Sequence, residues 1–279
     1  MKNFRTNRKQ TNSVLKTVTI SILILASFGT SYSQSWEIGG MAGASNYHGD
    51  LAFNVVPKES HFSGGVFFKY NINEYWAMRP TVSYLKISGA DSNFNEYKIR
   101  NLSFRNNIYE VSNVMEFNFQ PFSRRSVHNE NTFYAMLGIA GYIHKPEAKM
   151  DGEWHDLRTA QTERVNYKLI QISVPFGVGF KQSFGDNLIL GFEAGWRKTF
   201  TDYLDDVSTV YPELNTSTNG IKQFADRSWE VTEDNQPRSN AGDMRGDPNF
   251  KDWYFQTAFS LSYRFTPIKC AFNKINFFE

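Results

Sequence analysis

The sequence predicts an all-β protein, an eight-stranded antiparallel transmembrane outer-membrane β-barrel. Three observations predict it: period-two alternation recurs along the chain, the links between alternating segments are short and long in turn, and an export signal precedes them. Composition excludes the main competitors. The 279 residues carry 30 Lys and Arg against 28 Asp and Glu, with 16% aromatic residues, which fits neither a disordered chain nor a nucleic-acid binder. A mean hydropathy of −0.48, with no long apolar run beyond the N-terminus, argues against membrane helices. A barrel remains allowed because its alternating strands average out.

Residues 1–33 read as a cleaved signal peptide. Lys2, Arg5, Arg8, Lys9 and Lys16 form a basic leader, Val18 to Phe28 an apolar stretch too short to span about 30 Å of hydrocarbon, and Ser31-Tyr32-Ser33 a small-x-small cleavage site. Its removal takes five cations and turns a formal charge of +2 into −3. Cys270 is the only cysteine, so no intramolecular disulfide or paired-thiolate metal site is available.

The expected barrel covers 34–266. Its strands are expected near Trp36 to Tyr47, Phe62 to Tyr70, Trp76 to Ile87, Ile108 to Pro121, Phe133 to His144, Tyr167 to Gln182, Leu188 to Thr201 and Trp253 to Phe265. The last is the clearest: Trp253, Phe255, Phe259, Leu261, Tyr263 and Phe265 share one phase, and Tyr254, Gln256, Ser260, Ser262 and Arg264 the other. Links near 71–75, 122–131 and 185–187 are short, while those near 48–60, 88–107, 146–166 and 203–252 are long, as for periplasmic turns and outer loops. A soluble sandwich or lipocalin-like barrel gives no reason for that sorting.

The polar phase carries Glu37, Lys69, Arg79, Glu110, Glu116, Lys181, Glu193, Arg197 and Arg264. Eight strands leave room only for side chains, so these charges are expected to pair into a plug rather than line a pore. The loop from Asp205 to Asp252 has ten acids against five bases and is expected to be a solvated outer loop. Asp243 and Asp247 within it lack the spacing of a calcium loop, and His48, His61, His128, His144 and His155 lack metal-ligand spacing. No metal and no cofactor is expected.

Two features are expected to face the periplasm and dock a partner: the turn holding Arg124, Arg125 and His128, and the tail 267–279 with Ile268, Phe272, Phe277 and Phe278. The tail could equally fold back into the barrel mouth. His48 and Asp50 at the first outer loop suggest a lipid-modifying enzyme as a lesser alternative, without a third catalytic partner. An adhesive surface barrel binding ligands through the acidic loop is another alternative.

Two blocks carry a resemblance. Asn46-Tyr47-His48-Gly49-Asp50-Leu51, preceded by Ile38-Gly39-Gly40-Met41-Ala42-Gly43, and Arg245-Gly246-Asp247-Pro248 followed by Asp252-Trp253 resemble the PorG-like outer-membrane barrels of Bacteroidetes. The resemblance covers nearly the whole mature chain. It implies a non-enzymatic component of the type IX secretion system, embedded in outer-membrane lipid and associated with a periplasmic ring built from a lipoprotein and its partner. Gly49 is read as permitting backbone angles forbidden to other residues, and Asp50 as bracing the loop. Closing the barrel makes the first and last strands neighbours. The two blocks are therefore expected to meet at the outer rim, through an Asp50–Arg245 pair.

Overall fold

The computed structural model describes residues 35–123, 130–213 and 224–265. Nine strands form one antiparallel sheet: β1 Ser35–His48, β2 His61–Asn71, β3 Trp76–Ala90, β4 Ser103–Asn118, β5 Asn131–Met150, β6 Glu153–Asp156, β7 Ile170–Phe184, β8 Leu188–Thr199 and β9 Trp253–Phe265. Eight of them close a barrel in the order β4-β3-β2-β1-β9-β8-β7-β5, and β5 pairs with β4 to complete the ring. The closing register of the termini runs from Trp36 opposite Phe265 to His48 opposite Trp253. Closure leaves no long free edge, which is the condition for a sheet in lipid.

The outward phase is apolar and exposed. Ile38, Val66, Val82, Val111, Leu137, Ile139, Ile172, Val178, Leu190, Phe259 and Leu261 all lie open on the outer wall. Rings gather above and below this belt. At the end bearing the short turns, Trp36 packs on Phe68 and Tyr70 and Trp76 on Phe117; at the other end, Tyr84 packs on Tyr109 and Trp196 on Phe255. A soluble protein does not expose a continuous apolar belt of this extent, whereas lipid requires one with aromatic girdles at its edges. The barrel therefore spans a membrane.

Above the outer girdle the polarity inverts. The inward residues Phe104, Ile108, Leu85, Ile87, Ala148 and Tyr142 form an apolar core with Leu51, Leu102, Leu157, Leu204 and Val207 from the loops. Their outward neighbours are Arg105, Asn107, Lys145, Glu147 and Lys149. The upper storey is thus built like a water-soluble barrel, polar outside and oily inside, standing on a membrane storey built the other way round.

This inversion corrects several expected boundaries. The third strand continues to Ala90 and the fourth begins at Ser103, within the stretch 88–107 expected as a loop. The fifth runs on to Met150 and folds back as β6, a ninth short strand outside the ring that the sequence pattern did not suggest. A single turn of helix, α1 Leu157–Ala160, follows and is capped by Asp156 accepting from the Thr159 N–H.

Candidate functional site at the outer rim and barrel lumen

All nine charges expected inside the membrane storey are there, none more than 5% exposed. Alternation puts them on the inner face, and curvature brings strands from opposite walls together. Glu116 on β4 is the hub, with Lys69 Nζ at 2.9 Å, Lys181 Nζ at 3.0 Å and Arg79 Nε at 3.2 Å. Arg79 also reaches across to Glu193 on β8 at 2.7 Å, where Tyr134 donates its hydroxyl at 2.9 Å. Nearer the short-turn end, Glu37 accepts from Arg264 at 3.1 Å and from Asn71 at 2.8 Å. Toward the outer end, Tyr254 donates to Glu110 at 2.6 Å and Arg197 donates to Gln256 at 2.6 Å.

Five cations face four anions, and aromatic rings take up the surplus. Lys181 lies over Tyr134 and Phe122, Arg264 over Phe122, and Lys69 over Phe67. The Arg79–Glu193 bond joins β3 to β8, four strands apart in the ring of eight, and so crosses the lumen itself, while Lys181–Glu116 spans the single intervening strand β5. Such pairs are weak evidence of net stability, but removing one partner strands a buried charge at a cost of about 3–5 kcal/mol.

The outer end is closed by a second polar assembly, in which the two sequence blocks do meet. Tyr47 Oη is 2.6 Å from Asp205 Oδ2 and 2.6 Å from Asp252 Oδ1, and the Leu204 N–H donates to the other oxygen of Asp252 at 2.8 Å. A hydroxyl has one proton to give. Two carboxylates cannot both accept it, so one of the pair must itself carry a proton. Burial above all, with repulsion from neighbouring carboxylates (Asp252 and Asp50 on Asp205, Asp202 and Asp50 on Asp252), pushes both Asp205 and Asp252 well above the ordinary carboxylate range.

The expected Asp50–Arg245 pair is replaced by other contacts. Asp50 accepts the Asp247 N–H at 3.2 Å, and burial pushes its carboxyl up to about 7. Arg245 turns instead to Glu163 at 2.9 Å, the Asp206 carbonyl and the Ala225 carbonyl. Besides the direct Tyr47–Asp252 and Asp50–Asp247 contacts, Arg100 bridges the blocks, donating to the Asp50 carbonyl at 2.9 Å and the Arg245 carbonyl at 2.6 Å while gripping Asp91. An arginine offers five donors, enough to satisfy three carbonyl and carboxylate groups at once.

Gly49 owes its place to space rather than to backbone angle, since its φ is not positive. A Cβ there would collide with Tyr47 Oη and Asp252 Oδ1. Gly246 is similar: a Cβ would lie 2.6 Å from Asp50 Oδ2. Trp253 opens β9 opposite His48, and Asn46 donates to Ser60 at 2.8 Å. Pro248 accepts through its carbonyl from Lys251 at 2.7 Å.

The long loop is therefore not simply solvated. Asp202, Leu204, Asp205, Asp206, Val207, Ser208, Asp226, Ser228, Arg245 and Asp252 are all buried, and the loop forms a lid of its own over the barrel mouth. Glu163, from the preceding outer loop, accepts from the backbone N–H groups of Ser208 and Thr209 and ties the two loops together. Asp243 and Asp247 bond locally to Asn240 and Asn249. No group of three metal-ligating side chains occurs among the described residues.

His48 packs edge-on against Phe250 at 5.3 Å, while Asp50 is engaged by Asp247, so nothing joins the two as a catalytic pair. The sequence reading missed Arg100, Asp91, Glu163 and the Asp205-Asp206 doublet. Only the doublet, next to a strand end, stood out by position. Arg124, Arg125, His128, Ile268, Phe272, Phe277 and Phe278 lie outside the described residues.

The model of a family described as a domain of unknown function, DUF6089, matches residues 16–231. A search of curated proteins finds no match. Among solved structures, the chain is similar to Neisserial surface protein A (12% identity, 85% of this chain and 99% of that one, TM-score 0.42). It is also similar to OprG from Pseudomonas aeruginosa (10%, 86% and 99%, 0.42) and to Ail, the attachment invasion locus protein of Yersinia pestis (11%, 83% and 97%, 0.38).

Proposed function

The chain belongs to the DUF6089 family, and we propose that it is a non-enzymatic outer-membrane component of the type IX secretion system. Its role is to anchor or position a periplasmic ring containing a lipoprotein. One observation carries the scaffold part of this reading: the lumen is crossed by the β3–β8 ion pair and filled by the charges gathered on Glu116, while a folded lid covers the outer mouth. A barrel stoppered at both levels offers no route for cargo, and what remains is a rigid anchor in the bilayer. The secretion part rests on the resemblance of the Asn46–Leu51 and Arg245–Trp253 blocks to PorG-like barrels.

The rival reading, an adhesive barrel, needs outer-loop acids free to meet a ligand. Of the ten acids from Asp205 to Asp252, Asp205, Asp206, Asp226 and Asp252 are buried, while Glu213, Glu230, Glu233, Asp234, Asp243 and Asp247 are exposed; the stoppered lumen, not a lack of exposed acids, favours the scaffold.

The test is deletion of the gene, complemented with the full chain, with Arg124→Glu/Arg125→Glu, or with a chain ending at Thr266. Full chain is expected to restore secretion of type IX cargo and to co-purify the ring lipoprotein, and the altered turn or missing tail to lose the lipoprotein while the barrel still inserts. Normal secretion in the deletion strain overturns the reading.

A further inference from the structure

Between the two aromatic girdles, the outward positions are apolar or small with two exceptions, Thr257 and Asn113. A threonine hydroxyl can return its proton to a nearby backbone carbonyl, but a carboxamide brings two donors and an acceptor that need partners from elsewhere. Asn113 is exposed on β4 midway between Tyr109 of the outer girdle and Phe117 of the inner one, and its side chain has no hydrogen-bond partner among the described residues. Lipid tails supply none.

The wall around Asn113 is unusual in two further ways. Its register partners are Pro80 on β3 and Ile139 on β5, and with Met78, Val111 and Gly141 these line a shallow groove of about 470 Å³ on the lipid side. Added at Gly141, a Cβ would meet nothing within 4 Å, so the groove is open for a neighbour to approach closely. The panel is also flanked by interrupted ladders at the same height. β2 pairs with β3 at Phe67–Thr81 and next at Tyr70–Met78, around Pro80; β5 pairs with β7 at Leu137–Phe176 and next at Ala140–Ser173, around Pro175. Proline removes the ladder donor in each case.

We propose that this panel of β3, β4 and β5 is an intramembrane interface between two copies of the chain, with Asn113 on the two-fold axis. The occupant follows from the chemistry. A carboxamide is its own complement, donor to acceptor and acceptor to donor, so two copies facing each other satisfy both. A two-fold axis is also the commonest symmetry of a homo-oligomer and sets one patch against itself. Polar side chains at mid-bilayer hold transmembrane segments together in this way. The proposal does not depend on the secretion role: a dimer forms whether or not a ring binds beneath.

The experiment places a thiol beside the axis and leaves Asn113 in place. Ile139→Cys, at the register partner of Asn113 in the same groove, in a Cys270→Ala background, is reconstituted in phosphatidylethanolamine–phosphatidylglycerol vesicles and examined again in native outer membranes, treated with a short bifunctional thiol cross-linker and run on denaturing gels. Thr257→Cys on the opposite wall is the control. Self-cross-linking at twice the chain mass from Ile139→Cys, at least tenfold above Thr257→Cys, is expected in both membranes. Asn113→Leu, which makes the wall more apolar and leaves the heat-modifiable barrel band intact, is expected to lower the dimer fraction measured by photobleaching at least tenfold. Equal cross-linking from both sites, an adduct of Ile139→Cys with a different protein in native membranes, or unchanged dimer with Asn113→Leu overturns the proposal.

Discussion

Asp205 and Asp252 are joined through the single hydroxyl of Tyr47, 2.6 Å from a carboxylate oxygen of each. One proton must therefore reside on the carboxyl pair besides the one on the tyrosine. This arrangement staples the start of the long loop to its end, and both to the last residues of β1. Folded carboxyl pKa values are raised, so the closed lid holds protons that an open loop gives up near the ordinary value of about 4. Lid stability is then fully present below about pH 4 and declines as pH rises through the raised folded values, with Asp50, pushed up to about 7, carrying the decline to neutrality.

Asp205→Asn mimics the protonated form. Its carbonyl can keep the Val207 N–H while its amide donates to Tyr47, which then donates to Asp252. The variant is expected to protect the Leu204 and Val207 amides more strongly at pH 8, by about 1 kcal/mol, and to flatten the pH dependence. Hydrogen exchange by mass spectrometry from pH 5 to 8, corrected for intrinsic rates, reads both effects; a variant less protected than the native chain at pH 8 contradicts the shared proton.

Arg245→Met removes the cation facing Glu163 and Asp206 while keeping an unbranched apolar stem. Two buried carboxylates are left without it, and the lid is expected to weaken by about 3–5 kcal/mol. Limited proteolysis should cut within 203–252 at least tenfold faster while the folded barrel still shows its shifted band on unheated gels.

Gly246→Ala places a methyl against Asp50 Oδ2. Overpacking of this kind costs about 1–3 kcal/mol. The same proteolysis assay should show faster cutting of the long loop, and an unaltered rate would mean that the Asp50–Asp247 contact is not part of the latch.

Glu116→Gln leaves Lys69, Lys181 and Arg79 without their common counter-charge. The barrel is expected to lose about 3–5 kcal/mol, read as a lower urea midpoint for refolding into vesicles. Native chain in planar bilayers should show no steady conductance; ohmic channels would contradict a plugged lumen.

The membrane storey was legible because lipid imposes one phase: Trp253, Phe255, Phe259 and Phe265 out, Gln256, Ser262 and Arg264 in. All nine interior charges could be named from that phase alone. The upper storey was not, because polarity inverts along the same strand. Tyr109 and Val111 face lipid, but Arg105 and Asn107 on the same side face water while Phe104 and Ile108 turn inward. A reader following one phase ends β4 at Ile108, where it continues to Ser103. The rim assembly failed differently: closure correctly brought the two blocks together, but which of many acids meets which arginine is decided by loop packing. Arg100 joins residues 50 and 245 and Glu163 joins residues 208 and 245, separations no local pattern announces.

If the barrel anchors a periplasmic assembly, as proposed, Cys270, the only thiol in the chain, offers the most direct test. A photoactivatable cross-linker attached there in intact cells is expected to capture the ring lipoprotein or its partner, at a yield that falls when the lipoprotein gene is deleted. Capture of no periplasmic protein, or labelling of Cys270 by a thiol reagent too large to cross the outer membrane, would contradict the account.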